Sequence, residues 1–223
     1  GKAKARLIVG SANVTSAGWA GNLELVSTLS WNARDEGQDS EVHRTLFVRA
    51  HQWLASITAP AQDNRVAYKL ELIRSQSPWI DEPGLVGDAP FELSDGSQID
   101  LLVSDPSNTT GLADRMLTLI DEPIERLTII SPYWDDQLSA LKRLCTEVGS
   151  PDLRIFLSQN DRNPSRSSTF PVAAIGKSSI KFHPIVPGGG NSDRFLHAKM
   201  FLFHGTDHDF LFVGSANCTV AAD

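Results

Sequence analysis

The sequence predicts an α/β fold built from two related halves. Three observations carry that expectation. Residues 7–15 (LIVGSANVT) and 211–219 (LFVGSANCT) are near copies, which reads as an internal duplication. The match runs through an apolar stretch, a Gly-Ser-Ala-Asn core and the Thr that follows. Residues 126–157 then run strand, turn, helix, strand, the order that gives parallel strands joined by a crossover helix. Finally, the chain has 223 residues and an ordinary globular composition, enough for one large domain or two small ones.

The elements follow in order. Residues 5–9 and 209–213 are short apolar runs leading into Gly-Ser, read as strands entering a turn. Thr15 to Gly21 is small and polar, and Asn22 to Val26 reads as a strand with its polar residues on one face. Residues 32–40 (NARDEGQDS) form a charged loop. Glu41 to about Ile57 has helical spacing, with Val42, Leu46, Trp53 and Leu54 on one buried stripe. Val66 to Ile73 alternates as a strand does. Residues 75–111 are rich in Pro, Gly, Asp and Ser around apolar islands such as Ile99 to Val103, so short strands and loops are expected there. A second unit begins near Ile124. Its elements are a strand over Arg126–Ser131, a turn over Pro132–Asp135, a helix over Gln137–Val148 and a strand over Leu153–Leu157. Arg162 to Ser168 is a polar loop and Gly188 to Asn191 a glycine loop. Ile180–Phe182, Phe195–Phe203 and residues 209–213 complete a sheet.

Composition narrows the function classes. The net charge is −7, so the chain as a whole is no trap for polyanions. No apolar run approaches the roughly 18 residues of a membrane helix. Two cysteines, Cys145 and Cys218, match neither a metal spacing nor a disulfide framework. A reducing, cytoplasmic setting is the plain expectation. The chain starts at Gly1 inside one copy of the repeat and stops at Asp223 just after the other, so a segment of a longer protein is expected.

The chemistry lies in the repeat. Its second copy follows His197-Ala198-Lys199. On a strand, His197 and Lys199 face the same way. Ser215 and Asn217, also two apart, converge on one spot if the turn stays extended. Gly214 lets backbone approach a ligand closely. An imidazole, an ammonium, a hydroxyl and an amide around one point suit a phosphodiester. Lysine and asparagine hold the non-bridging oxygens as charge grows on them, and the imidazole serves as nucleophile or acid.

These residues resemble the phospholipase D superfamily, whose motif is His-x-Lys, usually an Asp after four further residues, and then Gly-Ser-x-Asn. The second copy matches as His197, Lys199, Gly214, Ser215 and Asn217, and the first as Lys2, Gly10, Ser11 and Asn13. The first copy's histidine would fall just before Gly1. Asn22-Leu23-Glu24 corresponds to the family's downstream Asn-x-Glu, and Ser131-Pro-Tyr-Trp134 looks like the opening of a second lobe. The resemblance implies two pseudo-symmetric lobes, 1–123 and 124–223, each with a mixed, mostly parallel sheet flanked by helices and each missing a terminal part. It covers both ends and 126–158 well, and 30–123 poorly. The Asp position holds His204 after Lys199 and Leu7 after Lys2, a departure that points away from true phospholipases and toward the nuclease branch.

The implied mechanism is covalent. One histidine attacks phosphorus to form a phosphohistidine, the histidine of the other half protonates the leaving oxygen, and water then releases product without metal or cofactor. Glu24 is expected to hold the ring nitrogen of its own half's histidine. The catalytic set is thus His197, Lys199, Asn217, Ser215, Lys2, Asn13, Ser11 and Glu24. Blander roles stand beside this one. An isolated His on an apolar strand is ordinarily a core residue, Lys2 a frayed terminus, Glu24 a surface residue, and Ser and Asn plain turn formers. His183, His204 and His208 are expected to be structural or exposed. Trp19, Trp31, Trp53 and Trp79 read as core or rim, and Trp134 as the tryptophan nearest the pocket.

Charge favours a nucleic acid over a phospholipid as substrate, though it does not separate DNA from RNA. Basic residues outnumber acids from Arg162 to Lys199 (Arg162, Arg166, Lys177, Lys181, Arg194, Lys199), whereas Arg115 is the only base between Asp81 and Glu125. A lipid substrate calls for an apolar entrance or an amphipathic helix, and no clear one is visible. The expectation is a metal-independent DNA endonuclease, with helicase or recognition domains fused beyond this stretch as further partners. A phospholipase or phosphatidyltransferase, and a non-catalytic phosphate- or nucleic-acid-binding module, stand as alternatives.

Overall fold

The computed structural model of the chain describes residues 4–13, 15, 18, 21–61, 63–82, 84–85, 89–104, 110–159, 168–175, 180–185 and 194–219. Lys2, Trp19, Arg162, Arg166, Lys177 and the glycine loop at 188–191 lie outside the described residues. The first elements are β1 (Lys4–Gly10), β2 (Asn22–Leu23), β3 (Val26–Asn32), α1 (Gln38–Thr58), α2 (Asn64–Gln76), β4 (Phe91–Glu92), β5 (Gln98–Ile99) and α3 (Leu112–Thr118). There follow β6 (Ile124–Ile130), α4 (Ser139–Glu147), β7 (Asp152–Ser158), β8 (Ile180–Ile185), β9 (Phe195–Leu196), β10 (Met200–Gly205) and β11 (Asp209–Val213). The class is mixed α/β.

The chain divides into two compact units, Gly1–Leu7 with Thr28–Thr110, and Ile8–Ser27 with Gly111–Asp223. Residues 8–27 therefore group with the C-terminal stretch and not with the chain around them. Strands β1 and β3 pair as a two-stranded sheet, and each has residues in both units.

The second unit is built on a mixed five-stranded sheet in the order β11-β10-β6-β7-β8. Strands β6, β7 and β8 are parallel, as the strand-helix-strand order predicts, with Leu127 opposite Leu153 and Leu153 opposite Ile180. Strand β10 is antiparallel to both β6 and β11. Leu127, Ile129, Ile155 and Phe203 are fully buried, and α3 and α4 add Met116, Leu141 and Leu144 to the buried set. Helix α4 starts where Asp135 accepts hydrogen bonds from Ser139 N (2.7 Å) and Ala140 N (3.3 Å). Burial pushes the Asp135 carboxyl up, but these backbone donors outweigh it and hold the group below the usual carboxylate range.

The expected strand over Phe195–Phe203 is two strands. Residues 195–196 hydrogen-bond to β2, while 200–205 join the five-stranded sheet. His197, Ala198 and Lys199 are the non-strand link between these two pairings.

In the first unit, α1 packs Val42 and Leu46 against Phe91, with Leu29, Leu93, Ile99 and Leu101 around them. The rings of Trp31 and Trp79 lie 4.4 Å apart. The expected stripe on α1 holds for Val42 and Leu46 but not for Leu54, which is exposed. The expected strand over Val66–Ile73 is instead the interior of α2. Asp63 caps that helix by accepting Arg65 N at 2.8 Å, and no α2 residue is buried, so no core-facing stripe shaped its sequence.

Candidate active site

One short pairing joins the two copies of the repeat. Strands β2 and β9 run parallel, with Asn22 opposite Phe195 and Leu23 opposite Leu196. The ladder continues as His197 N donates to Leu23 O at 2.9 Å. The next residue on the first strand, Glu24, is thereby set beside the His197 ring.

Glu24 gathers three donors. Its carboxylate oxygens lie 3.0 and 3.1 Å from His197 Nδ1. Ser11 Oγ donates to it at 2.5 Å and Asn22 Nδ2 at 3.2 Å. Ser11 is itself fixed, because its Oγ accepts Leu25 N and its own N–H donates to Leu25 O, both at 3.1 Å. The close approach needs Gly10: a Cβ there would lie 2.5 Å from Val26 Cγ1 and 3.0 Å from Leu25 O. Burial pushes the Glu24 carboxyl up, but the bonds from Ser11, His197 and Asn22 outweigh it and hold the group ionised below the usual range.

Glu24 was expected to serve the histidine of its own copy. The structure puts it on the histidine of the other copy, because β2 pairs with β9. The chemical effect on His197 is definite. With Nδ1–H donated to a carboxylate, the lone pair of the neutral ring resides on Nε2.

Lys199 completes the cluster. Its Nζ donates to His197 O at 2.9 Å and Ser11 O at 3.4 Å, and lies 3.1 Å from each imidazole nitrogen. Equally near both ring nitrogens, the ammonium sits beside the ring and off the line of the Nε2 lone pair. His197 is 4 % exposed and Lys199 3 %. Burial pushes the Lys199 ammonium down to about 8, against the attraction of Glu24. A buried cation held beside an imidazole lone pair can receive an anionic oxygen and leave the ring as nucleophile or base.

The other expected residues are placed differently. Ser215 and Asn13 are exposed. Asn217 is half-buried; its Oδ1 has no partner among the described residues, and it lines a mostly apolar cavity of about 20 Å³ with Leu112, Met116, Leu144 and Phe201. Among the described residues, no hydrogen bond joins these three to the His197 cluster. The local turn nevertheless recurs, with Thr15 N donating to Asn13 O at 2.8 Å and Thr219 N to Asn217 O at 2.9 Å. A Cβ on Gly214 would meet nothing within 4 Å, so that side of the second turn is open.

Sequence reasoning missed Tyr133. Trp134 was expected nearest the pocket, but its ring packs on Phe170 at 4.8 Å. Of the two turn aromatics, it is Tyr133 whose ring meets that of His197, edge to face at 5.9 Å. The Ser-Pro-Tyr-Trp string marks a turn with two aromatics, but nothing in it says which one faces the histidine. The three histidines expected to be structural or exposed are placed so: His183 stacks on Phe156, His204 pairs with Asp209 and exposed His208 with Glu122. Lys181, part of the expected basic patch, is paired with Asp152 at 2.9 Å.

Among the described residues, no helix is long and apolar enough to cross a membrane, and no group of three or more His, Cys, Asp or Glu side chains is placed to hold a metal ion. No family model, curated protein or solved structure matches the chain.

Proposed function

We propose that the chain carries the catalytic cluster of a phosphodiesterase of the phospholipase D type, with two pseudo-symmetric lobes, acting on DNA without a metal ion. The single observation that supports this is the Glu24–His197–Lys199 cluster. A carboxylate on Nδ1, a lone pair on Nε2 and a buried ammonium beside it are drawn from both copies of the repeat.

In this proposal His197 Nε2 attacks phosphorus, a P–N bond forms and the P–O bond to the leaving group breaks. The leaving oxygen takes its proton from the histidine of the other copy, which the resemblance places ahead of Gly1. That histidine then deprotonates water, which displaces the phosphoryl group from His197. Lys199 moves from the imidazole to the phosphoryl oxygens as their charge grows. Glu24 stays ionised and keeps the imidazolium oriented. Ser215 and Asn13, both exposed, are proposed to contact the substrate's phosphates, with Asn217 turning its amide toward them.

The test is plasmid nicking and phosphatidylcholine vesicle hydrolysis, both in EDTA, by a protein extended to include the other copy's histidine and by its His197→Asn variant. Nicking that EDTA leaves unchanged, and that falls at least about 10³-fold in the variant, is expected. Retained nicking by His197→Asn removes this residue from the chemistry. Vesicle cleavage without nicking moves the substrate to lipid. DNA binding that survives His197→Ala, with no product from the parent, makes the chain a binding module.

A further inference from the structure

Beside the buried cluster sits a large aromatic that is not itself buried. Tyr133 is 51 % exposed. Its ring meets the His197 ring edge to face at 5.9 Å and the Phe195 ring at 6.4 Å; Phe195 in turn lies 6.2 Å from His197. The backbone under it is clamped. Ser131 Oγ donates to Tyr133 O at 2.8 Å and accepts Cys218 N at 3.0 Å, tying the end of β6 to the second repeat. Trp134 bridges to Cys218 in the same place, and Pro132 is fully buried. So the main chain is held on both sides while the phenol ring is left out at the edge of the imidazole.

We propose that Tyr133 is the stacking surface for an unpaired nucleobase next to the scissile phosphate, so that the site takes single-stranded rather than fully paired nucleic acid. This rests on the phosphodiesterase reading above and specifies its substrate. A ring about 6 Å from the attacking imidazole is one nucleoside away from a phosphate held there. A base inside a duplex is already stacked on both faces and cannot offer one to Tyr133, whereas an unpaired base can. A fatty acyl chain gains from a continuous apolar wall; the exposed ring that meets the imidazole is amphipathic and stands beside a charged, hydrogen-bonded cluster. A purely packing role predicts a buried ring, and half of this one faces solvent.

The test is fluorescence anisotropy with the full chain and three labelled probes: a 12-nucleotide oligodeoxythymidine, the same strand in a duplex, and an abasic strand of equal length. The parent is expected to bind oligodeoxythymidine roughly 5- to 100-fold more tightly than the abasic strand, which has the same phosphates but no bases. Tyr133→Ala should bring the two to equal affinity, and Tyr133→Phe should keep most of the difference. The duplex should bind no better than the abasic strand. Equal affinity of the parent for the abasic and thymidine strands overturns the proposal, as does tighter binding of the duplex or no binding at all. A base-dependent affinity without cleavage of any diester leaves Tyr133 in its role and removes the phosphodiesterase reading instead.

Discussion

Lys199 is a cation that the fold keeps at 3 % exposure with its ammonium pushed down to about 8. A site kept for packing alone would be more stable with an apolar chain there. Lys199→Met should therefore abolish any phosphodiester chemistry and yet raise stability at pH 7 by roughly 1–3 kcal/mol, read by urea denaturation. The pH dependence follows from the direction of the shift. Folding lowers this lysine from 10.5 to about 8, so between those values the unfolded chain binds the extra proton and stability rises with pH. The gap between Lys199→Met and parent should be full below pH 8 and close toward pH 10.5. Activity should run the other way on the alkaline side, falling as pH rises through about 8 because the ammonium is lost. Glu24 sets the acid side: its carboxyl is held low, so its contribution to stability is present above the ordinary carboxylate range and is lost as pH falls through the folded value. Glu24→Gln should cost about 10²–10⁴-fold in kcat by releasing the His197 tautomer, with less effect on KM. His197, Lys199, Ser11 and Glu24 were all legible in the sequence as a motif. Their partnership was not, because Glu24 and His197 are 173 residues apart and no pattern encodes which histidine a carboxylate will meet.

Among the elements, the site depends on two strands of two residues each. Strands β2 and β9 contribute little surface, but their parallel register sets Glu24 against His197. The turn after β1 is the other support. Gly10→Ala would drive a methyl to 2.5 Å from Val26 Cγ1 and displace Ser11 from Glu24. We expect a loss of about 1–3 kcal/mol in thermal or urea unfolding, together with lower activity, whereas Gly214→Ala, with open space at its Cβ, should leave stability within about 0.5 kcal/mol. Elements with a buried face were readable. Strands β6 and β7 are apolar because both are buried, and α1 carries Val42 and Leu46 four residues apart. Helix α2 was not readable, since without a buried face its Val-Ala-Tyr-Lys-Leu-Glu-Leu-Ile string satisfies a strand pattern equally well. The break in the strand at 197–199 was hidden for a related reason: Phe195–Phe203 has no Gly, Pro or Asn to mark a turn, and only the choice of two different partners divides it.

Across the whole molecule, the similar stretches 7–15 and 211–219 share an Asn-to-Thr turn. The two copies now hang on different sheets, the first on the β1–β3 pair and the second on edge strand β11. The sequence showed the repeat but not that residues 8–27 would leave their neighbours and group with 111–223. That regrouping, between segments far apart in the chain, collects the carboxylate, imidazole and ammonium in one unit. The most direct test of their joint action is long-range proton–nitrogen NMR of the six histidines during titration with vanadate, which mimics the phosphoryl group in transfer. We predict that His197 carries its proton on Nδ1 in the free protein and that vanadate shifts its Nε2 resonance while those of the other five stay in place. A proton on Nε2 in the free protein, or a His197 signal indifferent to vanadate, would contradict a phosphate site at this cluster.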